Sequence, residues 1–216
     1  MIKYSPIFYF LILILFLFIG CKSESGNPVL PGNTSSQWIQ TSGPYGGDIR
    51  ALAVNAASRQ TDGGQAGGTC GTILFAGTNW GVYRSTNNGI NWTQVMAMKK
   101  GTIALAVSGG NIFAGTLGGG IFRSLDKGAS WTNINKELSS TYVRAFAVSP
   151  TSGGTDIFAE TDIGVYHSTD KGLSWTQVND GLTITSILAL VVGKNGTGGI
   201  NLYSGIAGGG VWRYSL

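Results

Sequence analysis

Short apolar runs separated by turn residues recur along the chain. Four runs rich in Ala, Leu and Val open the recurring units: IRALAV (49–54), TIALAV (102–107), VRAFAV (143–148) and SILALVV (186–192). A second apolar run follows in every unit, then a third such as GVYRS and, in three of the four units, a fourth such as WTQV. Gly, Asn and Asp lie between the runs. β-Branched and aromatic runs bounded by such residues predict short strands joined by turns.

The units are copies of one another. Their later parts align closely: LFAGTNWGVYRSTNNGINWTQV (74–95), IFAGTLGGGIFRSLDKGASWTNI (112–134), IFAETDIGVYHSTDKGLSWTQV (157–178) and LYSGIAGGGVWRYSL (202–216). A repeat of roughly 40–45 residues with four strands per unit is typical of a propeller blade. The sequence therefore predicts an all-β fold, a small β-propeller of about four blades.

The last unit stops before its fourth strand, and the segment WIQT (38–41) offers one at the other end of the domain. Because an open sheet edge invites unwanted pairing, we predict that this segment closes the last blade. The predicted blades are 49–95, 102–134, 143–178, and 186–216 with 38–41. The alternative is a larger ring that two chains share as a homodimer. Small residues on the innermost strands, such as Ala51 and Ala104, favour the tighter ring.

A Ser-x-Asp-x-Gly-x-x-Trp motif lies between the third and fourth strands of three units. Asp or Asn in a turn accepts hydrogen bonds from nearby backbone amides, Gly supplies a positive φ, and Trp packs across the hairpin. Each motif offers at most one carboxylate, too few for a calcium loop, so we predict no metal. The motif residues are Ser85, Asn87, Gly89, Trp92, Ser124, Asp126, Gly128, Trp131, Ser168, Asp170, Gly172 and Trp175.

These three motifs resemble the Asp-box, or BNR repeat. The resemblance covers most of residues 38–216 and implies the sialidase-like propeller superfamily. Asp-box propellers include sialidases, glucan-cleaving glycosidases, sortilin-type receptors and photosystem II stability-factor-like proteins. The run GVYRS followed by the motif is most similar to the last group and to the glucan-cleaving group. Fold does not decide function among them.

The first residues form a segment of another kind. Lys3 precedes an apolar run, residues 7–19, which is shorter than the roughly 20 residues of a membrane-spanning helix. This pattern is typical of a secretory signal. The run ends in FIGC with Cys21, which resembles the lipobox of bacterial lipoproteins. The alternative is a plain signal peptide or a short anchor helix.

The lipobox resemblance implies a domain organisation. Residues 1–20 are a lipoprotein signal peptide, residues 21–37 are a polar tether that begins at lipidated Cys21, and residues 38–216 are the propeller. We therefore expect an exported protein, held by its lipid at a membrane of the bacterial cell envelope, either at the outer membrane or at the cell surface.

Charge and cysteine content exclude several classes of function. The formal net charge is +4, without a dense basic stripe, so we expect no nucleic-acid partner. Cys70 has no partner if Cys21 carries lipid, so no disulfide is predicted. The Gly-rich runs at 118–120 and 208–210 connect two strands rather than a strand and a helix, so they predict no phosphate-binding loop. We expect no cofactor.

Candidate binding residues fall on the face opposite the Asp-box motifs. The loops between second and third strands and the starts of the innermost strands meet there. The candidates are Arg50, Arg144, Asn79, Trp80, Tyr142, Glu160 and Asp162. The two guanidinium groups belong to alternate blades and could fork onto a carboxylate or phosphate. The alternative is a network of Arg and acidic side chains that only satisfies this face.

We predict no catalytic residue. The Phe/Tyr-Arg-Ile-Pro motif of sialidases is absent, and other glycosidases need two carboxyl groups about 5–10 Å apart across a cleft. Glu160 and Asp162 lie on one blade. The prediction is a non-catalytic binding or assembly scaffold of the cell envelope, whose ligand is an envelope protein segment or a glycan. The alternative is a glycoside hydrolase, sialidase-like or glucan-cleaving, in intact or degenerate form.

Overall fold

The protein consists of strands throughout the part of the chain that the structure describes. The structure, a computed structural model, describes residues 38, 40–44, 47–56, 72–151, 154–183 and 187–216. The predicted signal peptide, the lipidation site Cys21, the tether and Cys70 lie outside these residues. Within them, the strands are β1 (Ile49–Ala56), β2 (Thr72–Thr78), β3 (Gly81–Ser85), β4 (Thr93–Ala97), β5 (Thr102–Ser108), β6 (Asn111–Thr116), β7 (Ile121–Ser124), β8 (Thr132–Asn133), β9 (Val143–Thr151), β10 (Gly154–Thr161), β11 (Gly164–Ser168), β12 (Thr176–Gln177), β13 (Ile187–Lys194), β14 (Ile200–Ile206) and β15 (Gly210–Ser215).

The strands form four antiparallel sheets in chain order. The first sheet is β1–β4, the second β5–β8, the third β9–β12 and the fourth β13–β15, and neighbours in sequence are neighbours in each sheet. The innermost strands β1, β5, β9 and β13 pack side by side in that order. This arrangement confirms the predicted all-β fold of four blades.

Each sheet packs on the next through its second strand. Phe75, Phe113 and Phe158 occupy the same position in the first three sheets, and all three are completely buried. Each belongs to a separate hydrophobic cluster between two sheets. Burying one such ring contributes about 2–3 kcal/mol, so the three interfaces hold the four sheets together as an arc.

The predicted closing strand is wrong. The fourth sheet contains three strands, and residues 38, 40 and 41 belong to none. The segment lies against the first sheet instead. Ser42 donates a hydrogen bond to the Ile90 carbonyl, and the Thr41 methyl group packs over Gly89. Among the described residues, no packing comparable to that of the neighbouring innermost strands joins β13 back to β1. The four sheets therefore form an open arc.

The three motif turns share one hydrogen-bond pattern. We call them the box turns: residues 85–92, 124–131 and 168–175. In the second, the Ser124 hydroxyl donates to Asp126 at 2.8 Å and accepts from the Gly128 amide at 2.8 Å, while the Ser130 amide donates to Asp126 at 2.8 Å. The other two turns repeat these bonds. Asn87 makes the same contacts as Asp126, so the turn needs an acceptor rather than a charge.

The box turns contain one feature that the motif did not predict. The residue before the Gly also has a positive φ: 56° at Asn88, 58° at Lys127 and 61° at Lys171. The indole N–H of Trp175 donates to the Ile134 carbonyl at 3.0 Å, as expected of a buried Trp. The indole nitrogens of Trp92 and Trp131 are buried without such a partner within the described residues.

Candidate functional site

The predicted binding residues all lie near one end of the sheets, opposite the box turns. Asn79 and Trp80 form the turn between β2 and β3, and Asp162 lies in the corresponding turn of the third sheet. Arg50 and Arg144 belong to the starts of β1 and β9, Tyr142 directly precedes β9, and Glu160 is near the end of β10. We call this end of the arc the mouth face.

Backbone contacts join the mouth face across the first three sheets. A Cβ on Gly101 would lie 3.6 Å from the Cα of Asn79, and a Cβ on Gly118 would lie 3.6 Å from the ring of Tyr142. Between these two places, the Lys100 ammonium group donates to the Gly118 carbonyl at 2.8 Å. The mouth face is therefore a continuous surface from the first sheet to the third.

Large apolar side chains are exposed along this surface. They come from the turns between second and third strands and from the start of β9, and they are Trp80, Leu117, Tyr142 and Ile163. We call these four residues the mouth rim. Sequence reasoning found Trp80 and Tyr142 but missed Leu117 and Ile163. The signal was available, because both lie within two residues of the Thr that ends the second strand, in the turns equivalent to that of Trp80.

Arg50 is paired within its own sheet. Its Nε donates a hydrogen bond to the Asn79 side-chain oxygen, and its Nη2 lies 3.8 Å from a carboxylate oxygen of Asp48. Both charged groups are largely exposed, so this ion pair is worth well under about 1 kcal/mol. Arg50 and Arg144 each have a neighbour in their own sheet, and their joint binding of one carboxylate or phosphate stays a prediction.

Glu160 is the one fully buried acid of the mouth face among the described residues. Its Oε1 lies 3.5 Å from Nη1 of Arg144, and neither carboxyl oxygen makes a hydrogen bond with a described residue. Burial raises the pKa of Glu160 to about 8; Arg144 opposes the shift, and the negative charge of Asp162 adds to it. Glu160 therefore keeps its proton in most molecules at neutral pH.

Asp162 has a positioning contact instead. It accepts a hydrogen bond from the Ser140 hydroxyl, and the Ser140 oxygen accepts one from the Tyr142 amide at 3.1 Å. This chain of contacts fixes the backbone that carries Tyr142. The structure thus brings Arg144, Glu160, Asp162 and Tyr142 together on the third sheet and Arg50, Asn79 and Trp80 together on the first.

The described residues contain no group of three or more His, Cys, Asp and Glu side chains that could hold a metal ion. In the same residues, no helix is long and apolar enough to span a membrane.

The fold and the mouth face define a β-propeller-type protein with an exposed apolar rim on one face. No family model matches the chain, and no curated protein matches it significantly. The resemblances to Asp-box proteins and to lipoproteins therefore stay predictions.

Two solved structures, a GH74 enzyme and a designed protein, support the fold. An ancestral GH74 enzyme matches with a TM-score of 0.54 and 18% identity, over 78% of this chain and 24% of that enzyme. The computationally designed Ika4 protein matches with a TM-score of 0.54 and 10% identity, over 84% of this chain and 99% of Ika4. YCF48 from Cyanidioschyzon merolae matches with a TM-score of 0.49 and 14% identity, over 82% of this chain and 59% of that protein. The chain thus spans about a quarter of the GH74 enzyme and nearly all of Ika4.

Proposed function

We propose that this protein is a non-catalytic binding or assembly scaffold whose ligand, a protein segment or a glycan, docks on the mouth face. One observation supports this proposal: four large apolar side chains, the mouth rim, are exposed on one continuous face. Arg50 donates to Asn79 and lies near Asp48, and Arg144 lies 3.5 Å from the buried Glu160. The surface most open to a ligand is therefore apolar and aromatic.

Aromatic rim residues are suited to this role. Trp and Tyr offer large rigid surfaces with one polar atom, and they are over-represented among residues that dominate binding energy. Truncating such a residue typically costs about 2 kcal/mol or more, a loss of about 30-fold in affinity. We therefore expect Trp80 and Tyr142 to contribute most of the affinity.

The experiment captures ligands from envelope extracts and from a glycan array with the wild type, Trp80→Ala and Tyr142→Ala. Leu173→Ala is the matched control, because Leu173 is equally exposed but lies on a box turn at the opposite end. We expect both rim variants to lose the ligand and the control to keep it. Retention by both rim variants would move the binding site elsewhere.

A glycoside hydrolase is the second candidate, and the raised pKa of Glu160 favours it. A carboxyl group that stays protonated at neutral pH can act as a general acid. Against this role, both oxygens of Glu160 are buried, and Asp162 already accepts a hydrogen bond from Ser140. Hydrolysis of sialosides or β-glucans by the wild type, lost in Glu160→Gln and Arg144→Ala, would replace the scaffold proposal.

We also propose that the protein is exported and anchored by lipid on Cys21 in a bacterial cell envelope. The apolar run and the FIGC sequence support this part of the proposal. Radiolabelled palmitate should be incorporated into the wild type and not into Cys21→Ser. Equal labelling of both proteins, or of neither, would contradict the anchor.

A further inference from the structure

The first two interfaces between neighbouring sheets use equivalent residues: a glycine, an arginine and apolar side chains. The first and fourth sheets also carry such residues on their outer faces, where no described sheet packs on them. Each sheet has a forward face, toward the next sheet, and a backward face, toward the previous one. The forward face of the fourth sheet and the backward face of the first sheet are the two ends of the arc. We compare their residues with the equivalent residues inside it.

A glycine on the second strand receives the innermost strand of the next sheet. A Cβ on Gly77 would lie 2.8 Å from the Thr102 carbonyl oxygen, and a Cβ on Gly115 would lie 2.7 Å from Val143 Cγ1. Only glycine allows such an approach. The fourth sheet keeps this glycine at Gly205, where the nearest atom to an added Cβ is in its own sheet, at 3.7 Å on Ala189.

The residue that should fill the space above Gly205 is exposed at the other end. Ile49 of the first sheet pairs with the last residue of β2, as Thr102 and Val143 pair with the last residues of β6 and β10. Thr102 and Val143 are completely buried, whereas Ile49 is 44% exposed. Gly205, which lacks the strand that packs on Gly77 and Gly115, and Ile49, which lacks a glycine to pack on, therefore lie at opposite ends of the arc.

An arginine on the third strand bonds to the box turn of the next sheet. Arg84 donates to the Lys127 carbonyl at 3.0 Å, and Arg123 donates to the Lys171 carbonyl at 2.7 Å. The third sheet has His167 there, and the sheet that follows it has no box turn; His167 contacts Asp156 at 2.7 Å instead.

The fourth sheet returns to arginine at this position. Arg213 pairs with Tyr203 as Arg84 pairs with Phe75. It is exposed and has no hydrogen bond or ion pair with any described residue. The box turn that no arginine reaches in this part of the chain is that of the first sheet, at Asn88, whose backbone matches those of the other two turns.

Apolar side chains that are buried inside the arc are likewise exposed on its two end faces. Val82, Ile121 and Val165 are at most 3% exposed on the first three forward faces, whereas the equivalent Val211 is 77% exposed. Leu52, on the backward face of the first sheet, is 53% exposed. The two end faces thus expose apolar side chains at positions that the internal interfaces bury.

The N-terminal segment occupies a matching position. In the interior of the arc, Ile134 at the end of the second sheet packs on Gly172 of the next box turn. Thr41 packs in the same way on Gly89 of the first box turn, so it stands where the outermost strand of a preceding sheet would end. β15 is the outermost strand of the fourth sheet and has no outer neighbour among the described strands. A segment placed like Thr41 would lie beside the β15 of a fourth sheet that packed on this first sheet.

We propose that two copies of this chain join head to tail, the forward face of each fourth sheet on the backward face of the other copy's first sheet. Ile49 of one copy fills the space above Gly205 of the other, and Arg213 donates to the Asn88 carbonyl. Two such contacts related by a two-fold axis close a ring of eight sheets. This inference does not depend on the ligand of the mouth face.

The partner is a second copy rather than the chain's own first sheet. Closing four sheets on themselves would require each of the three internal interfaces to bend, and Phe75, Phe113 and Phe158 are already fully packed there. Packed interfaces resist continuous deformation. A second copy satisfies both end faces without changing the internal ones.

Cysteine pairs test the proposal. A Cβ on Gly77 would lie 3.0 Å from Cγ2 of Thr102, so we expect the Cβ atoms of the equivalent residues, 205 of one copy and 49 of the other, to lie within disulfide range. Two differently tagged full-length chains, one with Ile49→Cys and the other with Gly205→Cys, are co-expressed and oxidised. We expect a disulfide-linked species that carries both tags. Single variants alone control for the natural cysteines, and Leu173→Cys with Gly205→Cys should give no mixed species.

Two results would overturn the proposal. One comes from a third variant that carries Ile49→Cys and Gly205→Cys on the same chain: a disulfide within that chain, with no mixed species in the co-expression, would mean closure by the chain itself. The other is no cross-link at all. Independently, Arg213→Ala should raise the dissociation constant of the dimer in detergent about 10-fold or more, while Lys194→Ala, an exposed cation of the same sheet, should leave it unchanged. An unchanged constant in Arg213→Ala would also contradict the proposal.

Discussion

Replacing Glu160 by Gln should make the stability of the protein less dependent on pH. Glu160 is buried, neither carboxyl oxygen has a hydrogen bond with a described residue, and its cation partner Arg144 is 3.5 Å away. Burial raises its pKa to about 8. Gln has nearly the same shape and stays neutral at every pH, so the substitution removes the titration and little else.

The sign and size of the pH dependence follow from the difference between the folded and unfolded pKa values of Glu160. The ordinary pKa of this carboxyl group is 4.5 and the folded value is about 8. Between these values the folded state holds a proton that the unfolded chain releases. The free energy of unfolding of the wild type therefore falls as pH rises, by about 1.4 kcal/mol per pH unit. The whole effect of Glu160 is at most about 5 kcal/mol, and it levels off above pH 8.

Urea unfolding of the wild type and of Glu160→Gln between pH 5 and pH 9, at constant ionic strength, measures the effect. The difference in free energy of unfolding should be small at pH 5 and should grow in favour of the variant up to pH 8. Asp180→Asn, which removes an exposed acid, is the control and should follow the wild type.

The raised pKa of Glu160 is tested by how the difference in free energy of unfolding between the two proteins changes with pH, not by its absolute value. The buried amide of Gln brings its own cost for unpaired donors, and this cost is the same at every pH. A difference between the two proteins that stays constant from pH 5 to pH 9 would refute the raised pKa. A difference that grows in favour of the wild type would refute the sign.

Three further predictions follow from the same structure. Arg144→Gln removes the cation that lowers the pKa of Glu160, so in urea titrations its free energy of unfolding should keep falling beyond the pH at which that of the wild type levels off. Gly77→Ala places a methyl group 2.8 Å from a backbone carbonyl of the next sheet and should cost about 1–3 kcal/mol in thermal unfolding, whereas Gly193→Ala, with 3.7 Å of clearance, should not. Hydrogen bonds from Ser130 hold the pKa of Asp126 at about 2, so its stabilising charge is complete above about pH 4 and is lost toward pH 2; Asp126→Asn should lack this acid-dependent part in acid unfolding curves.

The sheets could be predicted because their signals are local. Each strand is a short apolar run ended by turn residues, and four copies of the same pattern confirm one another. The mouth face could be predicted too, since strand order alone decides at which end of a sheet a turn lies. Leu117 and Ile163 needed only a comparison of equivalent turns.

The geometry between sheets could not be predicted in this way. Whether the guanidinium groups of Arg50 and Arg144 reach one ligand depends on the angle between sheets, which no local pattern contains. The closing strand was predicted wrongly for the same reason. WIQT matches WTQV in sequence, but its described residues belong to no strand, and Thr41 packs on Gly89 of the first box turn.

The third interface of the arc differs from the first two at one equivalent position of the second strand. Gly77 and Gly115 allow the next innermost strand to come within 3 Å of where a Cβ would be, and Glu160 stands at the equivalent position in the third sheet, paired with the same register residue of its third strand. A fully buried Glu side chain needs room that those two interfaces do not have. The third interface therefore holds a buried side chain at the position where the first two bring the next innermost strand onto a glycine.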